Sequence, residues 1–528
     1  MFVNSFINGT DWKNEVTAID RMAKLTKEDI VAFANKYLKE DNYAVIYKKQ
    51  GKDPNEKKMT KPEITPIITN RDVASPFLVE VQESAVKPIE PVFLDYQKDM
   101  SQLKAKSDIP VLYKQNVAND LFQLIYVFDM GNNHDKALGT AFDYLEYLGT
   151  SDMTPEELKS EFYRLACTFY VSPGNERTYV VLSGLNENMP AAVQLFEKLL
   201  ADAQVNKEAY TNMTSDILKA RSDAKLNQGQ NFSRLMSFAM YGPKSPATNL
   251  LTEVELTNMN PQELVDRIHN QNSYKHRILY YGPSSSKDLL ATINQYHQVP
   301  ATLKDIPAGN EYAYLETPVT KVLVAPYDAK QIYMAQISNL DKKYDPAIEP
   351  IRALYDEYFG GGMNSIVFQE MRETRGLAYS AWASIMPPSY LKYPYVLRTQ
   401  IATQNDKMID AVTTFNDIIN NMPESEAAFK LAKDGLTNRL RTERIIKGDI
   451  IWSYINAQDL GQNVDPRIKL YNDIQNMSLK DIVDFQKQWV KGRTYVYCIL
   501  GDKKDLELDK LKAVGPIEEL TQEQIFGY

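Results

Sequence analysis

A helix followed by a strand recurs three times in this chain, and this repeat most constrains its fold. The three copies begin at residues 24, 258 and 476 and read KLTKEDIVAFANKYLKEDNYAVIYKKQGK, NMNPQELVDRIHNQNSYKHRILYYGP and NMSLKDIVDFQKQWVKGRTYVYCILGD. Each has a helix-capping residue, Thr26, Asn260 or Ser478, with an acidic residue three positions later. Because the caps lie 234 and 218 residues apart, we infer a repeated domain of roughly 220 residues.

The segments that open the second and third units also match each other. Residues 109–131 (IPVLYKQNVANDLFQLIYVFDMG) and 319–338 (VTKVLVAPYDAKQIYMAQIS) each predict two strands joined by a polar turn. An amphipathic helix follows in both units. Later strand pairs also correspond, CTFYVSP with TYVVLSG and AYSAWASIM with YVLRTQIA. The fold class is therefore predicted to be α+β, with repeated two-layer domains of mostly antiparallel sheet and helices on one face.

The repeat divides the chain into four parts. Residues 1–50 match only the helix-strand tail of a preceding homologous domain. Residues 51–104 contain six prolines and mixed charge, which indicates an interdomain linker. Residues 105–300 and 301–528 are the two complete units. We therefore expect the chain to be the later part of a longer polypeptide, with any export signal upstream of Met1.

Composition excludes several classes of partner. A net charge of -9 argues against binding to nucleic acid or to an anionic membrane surface. No apolar run approaches the roughly 20 residues that a membrane span needs. Cys167 and Cys498 each lie among apolar and aromatic residues, which favours two buried thiols over a disulfide or a ligand pair. The chain is expected to be soluble, and its compartment stays open.

The segment FGGGMNSIVFQEMRETRGLAYS, residues 359–380, is the candidate site. The short helix predicted after the three glycines ends at Gly376, which permits a reversal of the chain. Arg372 therefore lies in the last helical turn and Tyr379 just beyond the reversal. A guanidinium and a phenol would thus reach one point. The residue types alone leave a plainer interpretation open, because an arginine suits a helix C-terminus and a tyrosine at a strand start commonly packs. The glycines at 360–362 lack the following lysine of a phosphate-binding loop and indicate a tight turn between helices.

With this segment and the repeat, the chain resembles the pitrilysin/insulinase family of zinc metallopeptidases, the inverzincins. The resemblance implies four homologous α+β domains that enclose a chamber, of which this chain would supply the tail of the second, the linker, the third and the fourth. In active members, an Arg and a Tyr seven residues apart in the fourth domain complete the site. The resemblance therefore implies catalytic and substrate-binding roles for Arg372 and Tyr379. The phenol would donate to the developing oxyanion, and the guanidinium would hold a substrate carbonyl.

The zinc motif of that family, H-x-x-E-H with a further glutamate, has no counterpart here. The chain has four histidines, none of them four residues from another: His134, His269, His276 and His297. His269 and His276 are predicted to be solvated or structural. The homologous helix position carries Thr140, Asp143 and Tyr144, which cannot form a nitrogen-rich zinc site. No metal or other cofactor is therefore expected in this chain, and the zinc is expected in the missing N-terminal half.

The function predicted from the sequence is that of the C-terminal, substrate-binding half of a peptide-hydrolysing zinc metalloendopeptidase. It would supply the Arg372 and Tyr379 contacts but no metal, and it would be inactive alone. The expected partners are a peptide substrate and an N-terminal half with the zinc motif, in the same polypeptide or in a separate subunit. The alternative is a non-catalytic scaffold or peptide-binding module of the same fold. An independent serine or cysteine hydrolase is disfavoured, because no nucleophile elbow or Cys-His signature is present.

Overall fold

The computed structural model describes residues 1–48, 51, 75–85, 87–329, 331–504 and 506–528. The chain forms two compact units, Met1–Thr65 and Pro66–Tyr528. The described part of the first unit contains four helices: α1 (Phe2–Asn8), α2 (Trp12–Val16), α3 (Ala18–Met22) and α4 (Lys27–Tyr37).

The predicted cap of α4 is confirmed, but the strand predicted after it is wrong. Thr26 and Asp29 form a reciprocal capping box at the start of α4. Residues 43–48, the described part of YAVIYKK, have no strand pairing. The apolar side chains of α4, among them Ile30 and Phe33, are largely exposed. A strand needs a neighbouring strand to bond with, and the described residues of this unit provide none.

The second compact unit contains two six-stranded sheets. Each of the two complete repeats predicted from the sequence holds most of one sheet. The first contains β1 (Ser101–Lys104), β2 (Pro110–Gln115), β3 (Leu121–Phe128), β4 (Cys167–Pro173), β5 (Thr178–Leu185) and β6 (Arg277–Gly282). The second contains β7 (Lys321–Pro326), β8 (Gln331–Lys343), β9 (Ser380–Met386), β10 (Pro394–Gln404), β11 (Val496–Gly501) and β12 (Ile517–Glu519). The predicted α+β class is confirmed.

The strand orders of the two sheets correspond, and both are mixed. They run β1-β2-β6-β3-β5-β4 and β12-β7-β11-β8-β10-β9. The late strand of each repeat, β6 or β11, is inserted between the two opening strands and pairs in parallel with the first of them. β2 and β3 are therefore consecutive but not neighbours, which strand patterns do not reveal. The pairs β4–β5 and β9–β10 are antiparallel, as predicted.

The helices of the second unit lie between and after these strands. Before and within the first sheet region they are α5 (Pro76–Glu83), α6 (Tyr96–Asp99), α7 (Leu138–Leu145), α8 (Pro155–Arg164), α9 (Met189–Asp202), α10 (Lys207–Lys225), α11 (Gln228–Tyr241), α12 (Glu253–Asn258), α13 (Gln262–Asn270) and α14 (Ser286–Tyr296). Around the second sheet they are α15 (Glu349–Phe359), α16 (Ile366–Phe368), α17 (Met408–Asn420), α18 (Glu426–Thr442), α19 (Asp449–Asp459), α20 (Pro466–Ile474), α21 (Leu479–Trp489), α22 (Leu508–Leu511) and α23 (Gln522–Phe526). The predicted capping residue Ser478 forms a capping box at α21, and Thr154 forms one at α8.

Each sheet packs the helices of its own repeat on one face, as predicted, and a helix from the other half of the chain lies on its second face. The first sheet packs against Ile450, Ile451 and Ile455 of α19, a helix from the second half of the chain. Phe232 and Leu235 of α11, from the first half, pack against the second sheet. The two halves thus exchange a helix, because a sheet with two apolar faces needs cover on both.

The structure gives contacts near two of the predicted boundaries. The linker predicted over 51–104 includes residues 52–74, which lie outside the described residues. In its later part, Leu94 and Tyr96 are buried under α19, and β1 pairs with β2. Just after the boundary predicted at 300, Leu303 packs against the core of the first sheet. The prolines predicted an extended linker, but they could not show which part of the protein this segment packs against.

Both thiols are free and buried, as predicted. Burial raises the pKa of the Cys498 thiol to about 12. Among the described residues, no helix combines the length and the apolarity that crossing a membrane requires.

The helix exchange predicts that Ile451→Ala destabilises the protein although Ile451 lies far along the chain from the sheet that it covers. Ile451 is buried against the first sheet, so truncation should cost about 2–5 kcal/mol through lost burial and a cavity. Urea unfolding followed by tryptophan fluorescence measures the loss. The control Val464→Ala changes an exposed side chain and should shift stability by less than about 0.5 kcal/mol. Equal effects of the two variants would contradict the exchange.

Candidate functional site

The candidate site, residues 359–380, is a helix-turn-strand corner. It begins where α15 ends against the edge strand β9. Gly360 follows the last residue of α15. A Cβ at this position would lie 2.2 Å from the carbonyl oxygen of Ala383 in β9. Only glycine therefore permits this approach of helix end to strand. The corner is thus seated directly on the sheet, and the glycines form a turn between helices, as predicted.

The short helix of the corner has a defined start and end. The Ser365 hydroxyl accepts a hydrogen bond from the Phe368 N–H, and α16 continues as a π-helical turn over Gln369–Thr374. Gly376 has φ +56°, a left-handed value that glycine adopts at low cost. The Leu377 N–H donates to the Met371 carbonyl at 2.9 Å, and Met371 is fully buried. The reversal into β9 is therefore held by packing on one side and by backbone bonds on the other.

The structure brings the two predicted site residues together. The guanidinium carbon of Arg372 lies 5.1 Å from the ring centroid of Tyr379 and 4.9 Å from that of Phe368. Arg372 is thus in contact with two aromatic rings, an arrangement that restricts its orientation. Its Nε is 3.5 Å from a carboxylate oxygen of Glu373, an exposed and weak ion pair.

Both groups are presented to solvent. The side chain of Tyr379 is 75% exposed, and its backbone N–H donates to the Ala402 carbonyl. Arg372 is also partly exposed. A guanidinium has five N–H donors and a phenol one, so the pair can donate to carbonyl or carboxylate oxygens of a bound chain. By contrast, Arg375 contacts Thr414 and Glu370.

The helix position that the sequence comparison aligned with the zinc motif lies on α7, and its residues do not fit a metal. The Tyr144 hydroxyl is buried, donates to the Asn206 carbonyl at 2.6 Å and accepts from the Asn206 N–H at 2.8 Å. It therefore joins α7 to the start of α10. Partial withdrawal from water and the nearby Glu146 carboxylate raise the pKa of Asp143. Thr140 is half-buried on the same helix. Within the described ranges, no three His, Cys, Asp or Glu side chains lie close enough to hold a metal ion.

Two histidines form a buried chain of hydrogen bonds that the sequence did not reveal. The Nε2 atoms of His276 and His297 are 2.8 Å apart, and His297 Nδ1 is 2.7 Å from a Glu197 carboxylate oxygen. Glu197 and His297 are 1% and 0% exposed. The other Glu197 oxygen accepts from the Asn272 amide and from the Gln298 N–H. The indication of this network in the sequence is Glu197, a single glutamate on the apolar face of α9.

The proton positions in this chain follow from its acceptors. The Tyr274 carbonyl only accepts, so His276 Nδ1 must carry the proton of their 2.7 Å bond. A neutral His276 then accepts at Nε2 from His297, and one proton is shared between His297 and Glu197. His269 lies apart, with Nε2 3.1 Å from the Ala203 carbonyl. Structural roles for His269 and His276, as predicted, agree with these bonds.

A family model matches part of the chain, and a curated relative matches most of it. Residues 278–436 match the family model described as peptidase M16 inactive domain, which confirms the resemblance to the pitrilysin/insulinase family for that part of the chain. "Non-peptidase homolog YmxG" of Helicobacter pylori is 24% identical over 426 residues, covering 76% of this chain and 93% of that protein.

Solved structures show the same fold. A peptidase M16 inactive domain from Pseudomonas fluorescens aligns with a TM-score of 0.60 at 15% identity, over 76% of this chain and 98% of that one. The periplasmic protease PqqL from Escherichia coli aligns with a TM-score of 0.61 at 14% identity, over 93% of this chain and 52% of PqqL.

The buried histidine chain predicts a pH-dependent stability. Burial, with a smaller contribution from His297, lowers the pKa of His276 from its ordinary 6.5 to about 3. Below pH 6.5 the unfolded chain binds a proton that folded His276 does not bind. His276 should therefore cost stability as the pH falls from 6.5 towards 3, by about 1.4 kcal/mol per pH unit. Urea unfolding at several pH values should show this slope reduced by that amount in His276→Gln. An unchanged slope would contradict the assignment.

A second variant tests the acceptor at the centre of this network. Glu197→Leu leaves the His297, Asn272 and Gln298 donors buried without an acceptor. Breaking such a network should cost about 3–5 kcal/mol, measured by urea unfolding. Glu316→Leu, at an exposed position, is the control and should change stability little. If both variants lost the same amount of stability, the buried network would contribute no more than an exposed glutamate.

Proposed function

Because residues 278–436 carry a peptidase M16 inactive domain, we propose that this chain is the metal-free, substrate-binding half of a zinc metalloendopeptidase. The zinc motif belongs to a second half, in the same polypeptide or in a partner subunit. PqqL supports this arrangement, since this chain aligns with 52% of that protease. When bound in that second half, zinc would supply an activated water for hydrolysis.

The observation that carries the proposal is the juxtaposition of Arg372 and Tyr379. Both are accessible, and both are held on one rigid corner by the Gly376 reversal and the buried Met371. Each supplies N–H or O–H donors, and the carboxylate beside Arg372, that of Glu373, is itself partly exposed. Peptide hydrolysis places negative charge on the carbonyl oxygen, and preorganised donors stabilise that charge.

The two residues would have different tasks in the proposed reaction. Tyr379 donates its phenolic proton in a hydrogen bond to the oxygen that becomes charged. Arg372 holds a neighbouring backbone carbonyl of the substrate and so fixes the register of the peptide. The contacts of Arg372 with the Phe368 and Tyr379 rings restrict the guanidinium before substrate arrives, which lowers the entropy cost of binding.

A second candidate function is a non-catalytic scaffold or peptide-binding module. It is favoured by the relative named a non-peptidase homolog and by the use of Tyr144 as a structural tie where the family places a metal ligand. In this alternative, the same corner binds a peptide that no partner cleaves. The first candidate requires a second half that carries H-x-x-E-H, and the second candidate does not.

The degenerate helix position predicts that the purified chain binds no stoichiometric zinc and cleaves no peptide. Thr140 and Tyr144 offer no nitrogen ligand, and Tyr144 is already engaged by Asn206. Metal analysis after dialysis against a zinc buffer checks the first part, and a fluorescence-quenched peptide checks the second. One tightly bound zinc per chain would overturn the proposed division of labour.

With a partner that carries the zinc motif, cleavage should appear and should depend on the corner. Removal of one oxyanion donor typically costs about 10²–10³ in rate, so Tyr379→Phe should lower kcat by that factor. Arg372→Ala should raise KM as well, through the lost carbonyl contact. Arg375→Ala is the matched control, because Arg375 is on the same turn but contacts Thr414 and Glu370.

The outcome separates the candidates. Restored cleavage with unchanged kinetics in Arg372→Ala and Tyr379→Phe would refute their roles. Peptide binding that is weakened in Arg372→Ala, without cleavage in any pairing, would favour the binding module.

A further inference from the structure

The second face of the second sheet is only partly covered by the exchanged helix. Phe232, Leu235 and Met236 of α11 pack against β7, β8, β11 and Val396 of β10. Beyond Val396, the same face continues with Arg398 and Gln400 of β10 and with the β9 side chains opposite them. We call Arg398, Gln400 and Trp382 the Arg398 patch; all three are half-buried.

The guanidinium of Arg398 is stacked but not neutralised. Its central carbon lies 5.2 Å from the ring centroid of Trp382, and Nη2 donates to the Gln400 side-chain oxygen at 3.1 Å. Its Nε is buried and has no hydrogen-bond partner. No carboxylate among the residues that the structure describes lies within 4.0 Å of Arg398. Burial lowers the pKa of this guanidinium, as expected for a cation without an anion.

The internal repeat shows that a cation is not required here by the fold. Arg398 pairs with Ile337, and Ile337 pairs with Val496 of β11. In the first sheet the corresponding position is Tyr179, which pairs with Val127 of β3. Tyr179 is covered by Trp452 of the exchanged helix α19, with ring centroids 5.6 Å apart. The second sheet has a charged, uncovered residue where the first has a packed aromatic one.

We propose that the Arg398 patch binds a carboxylate of an extended peptide ligand. An arginine fork donates two parallel hydrogen bonds to a carboxylate, and the ring of Trp382 holds the fork in one plane. The positive charge of Arg398, which no described carboxylate within 4.0 Å neutralises, is complementary to such a group. This inference rests on the proposed function in taking the ligand to be a peptide.

The position of the patch relates it to the Arg372 and Tyr379 corner. β9 begins at Ser380, directly after Tyr379, and Ser384 is the cross-strand neighbour of Arg398. β9 is the last strand of its sheet, and α15 occupies part of its outer edge, where the Ile385 N–H donates to the Asp356 carboxylate and the Ile385 carbonyl accepts from Arg352. The ligand would lie over the face that carries the patch. β9 and an extended peptide both advance about 3.3 Å per residue, so about five residues separate the corner from the patch. The ligand is therefore expected to have an acidic group about five residues from the position held at the corner.

The test measures binding of short peptides to the full chain by titration calorimetry. The probes are ten-residue peptides, acetylated and amidated, with one glutamate placed at successive positions, and the same peptides with glutamine. A third set has glutamine inside and a free C-terminal carboxylate, which separates a side-chain carboxylate from a terminal one. The wild-type chain should bind its best glutamate or free-carboxylate peptide about tenfold or more tightly than the blocked glutamine peptide.

Variants assign that preference to the patch. Arg398→Gln should remove the preference and leave binding of the blocked glutamine peptide unchanged. Arg441→Gln is the matched control, because Arg441 also stacks on a ring, that of Tyr471, but has its Nε bonded to the Tyr471 hydroxyl. It should keep the wild-type preference. Trp382 fluorescence should respond to the acidic peptide in the wild type and not in Arg398→Gln.

The outcomes separate this inference from the proposed function. Equal binding of acidic and neutral peptides, or a preference that survives Arg398→Gln, would overturn the patch and leave peptide binding at the corner standing. No binding of any peptide would overturn both.

Discussion

The exchange of α19 and α11 between the two sheets is the constraint on which the rest of the structure depends. Each sheet is apolar on both faces, and the helices of its own repeat cover only one of them. The remaining face is covered from the other half, by Ile450 and Ile451 in one direction and by Phe232 and Leu235 in the other. Neither half therefore buries its full apolar surface without the other.

Polar contacts fix the register of this exchange. Arg177 of the first half forms two 2.6 Å hydrogen bonds with Asp459 at the end of α19, and it also bonds Asp129. On the same side, the buried Asp465 accepts from the Leu94 N–H, which ties the chain before β1 to the second half. Paired and buried, these charges cost much if one partner is lost, so they specify the docking geometry more than they add stability.

Similar architecture carries different chemistry in the two halves. The first half also turns from a capped helix, α8, into an edge strand, with Ala166 at φ +48° in the reversal. There, however, Glu161 and Arg164 neutralise each other at 2.5 Å. In the second half, Tyr379 is exposed, Arg372 is partly exposed, and Arg398 lacks a carboxylate among the described residues. The fold supplies the corner twice, and the residues placed on the second corner are the ones that we propose to bind a peptide.

The sequence by itself determined the features that depend on neighbouring residues. Helix caps such as Thr154, the strand segments, the α+β class and the closeness of Arg372 to Tyr379 all follow from spacing along a short segment. The tertiary structure alone decided which strands are neighbours, which helix covers which face, and that Glu197, His297 and His276 form one buried chain. The physical reason is that periodicity marks a face as apolar without naming its partner. Partners a hundred residues apart are selected by packing and by hydrogen-bond satisfaction in the folded chain.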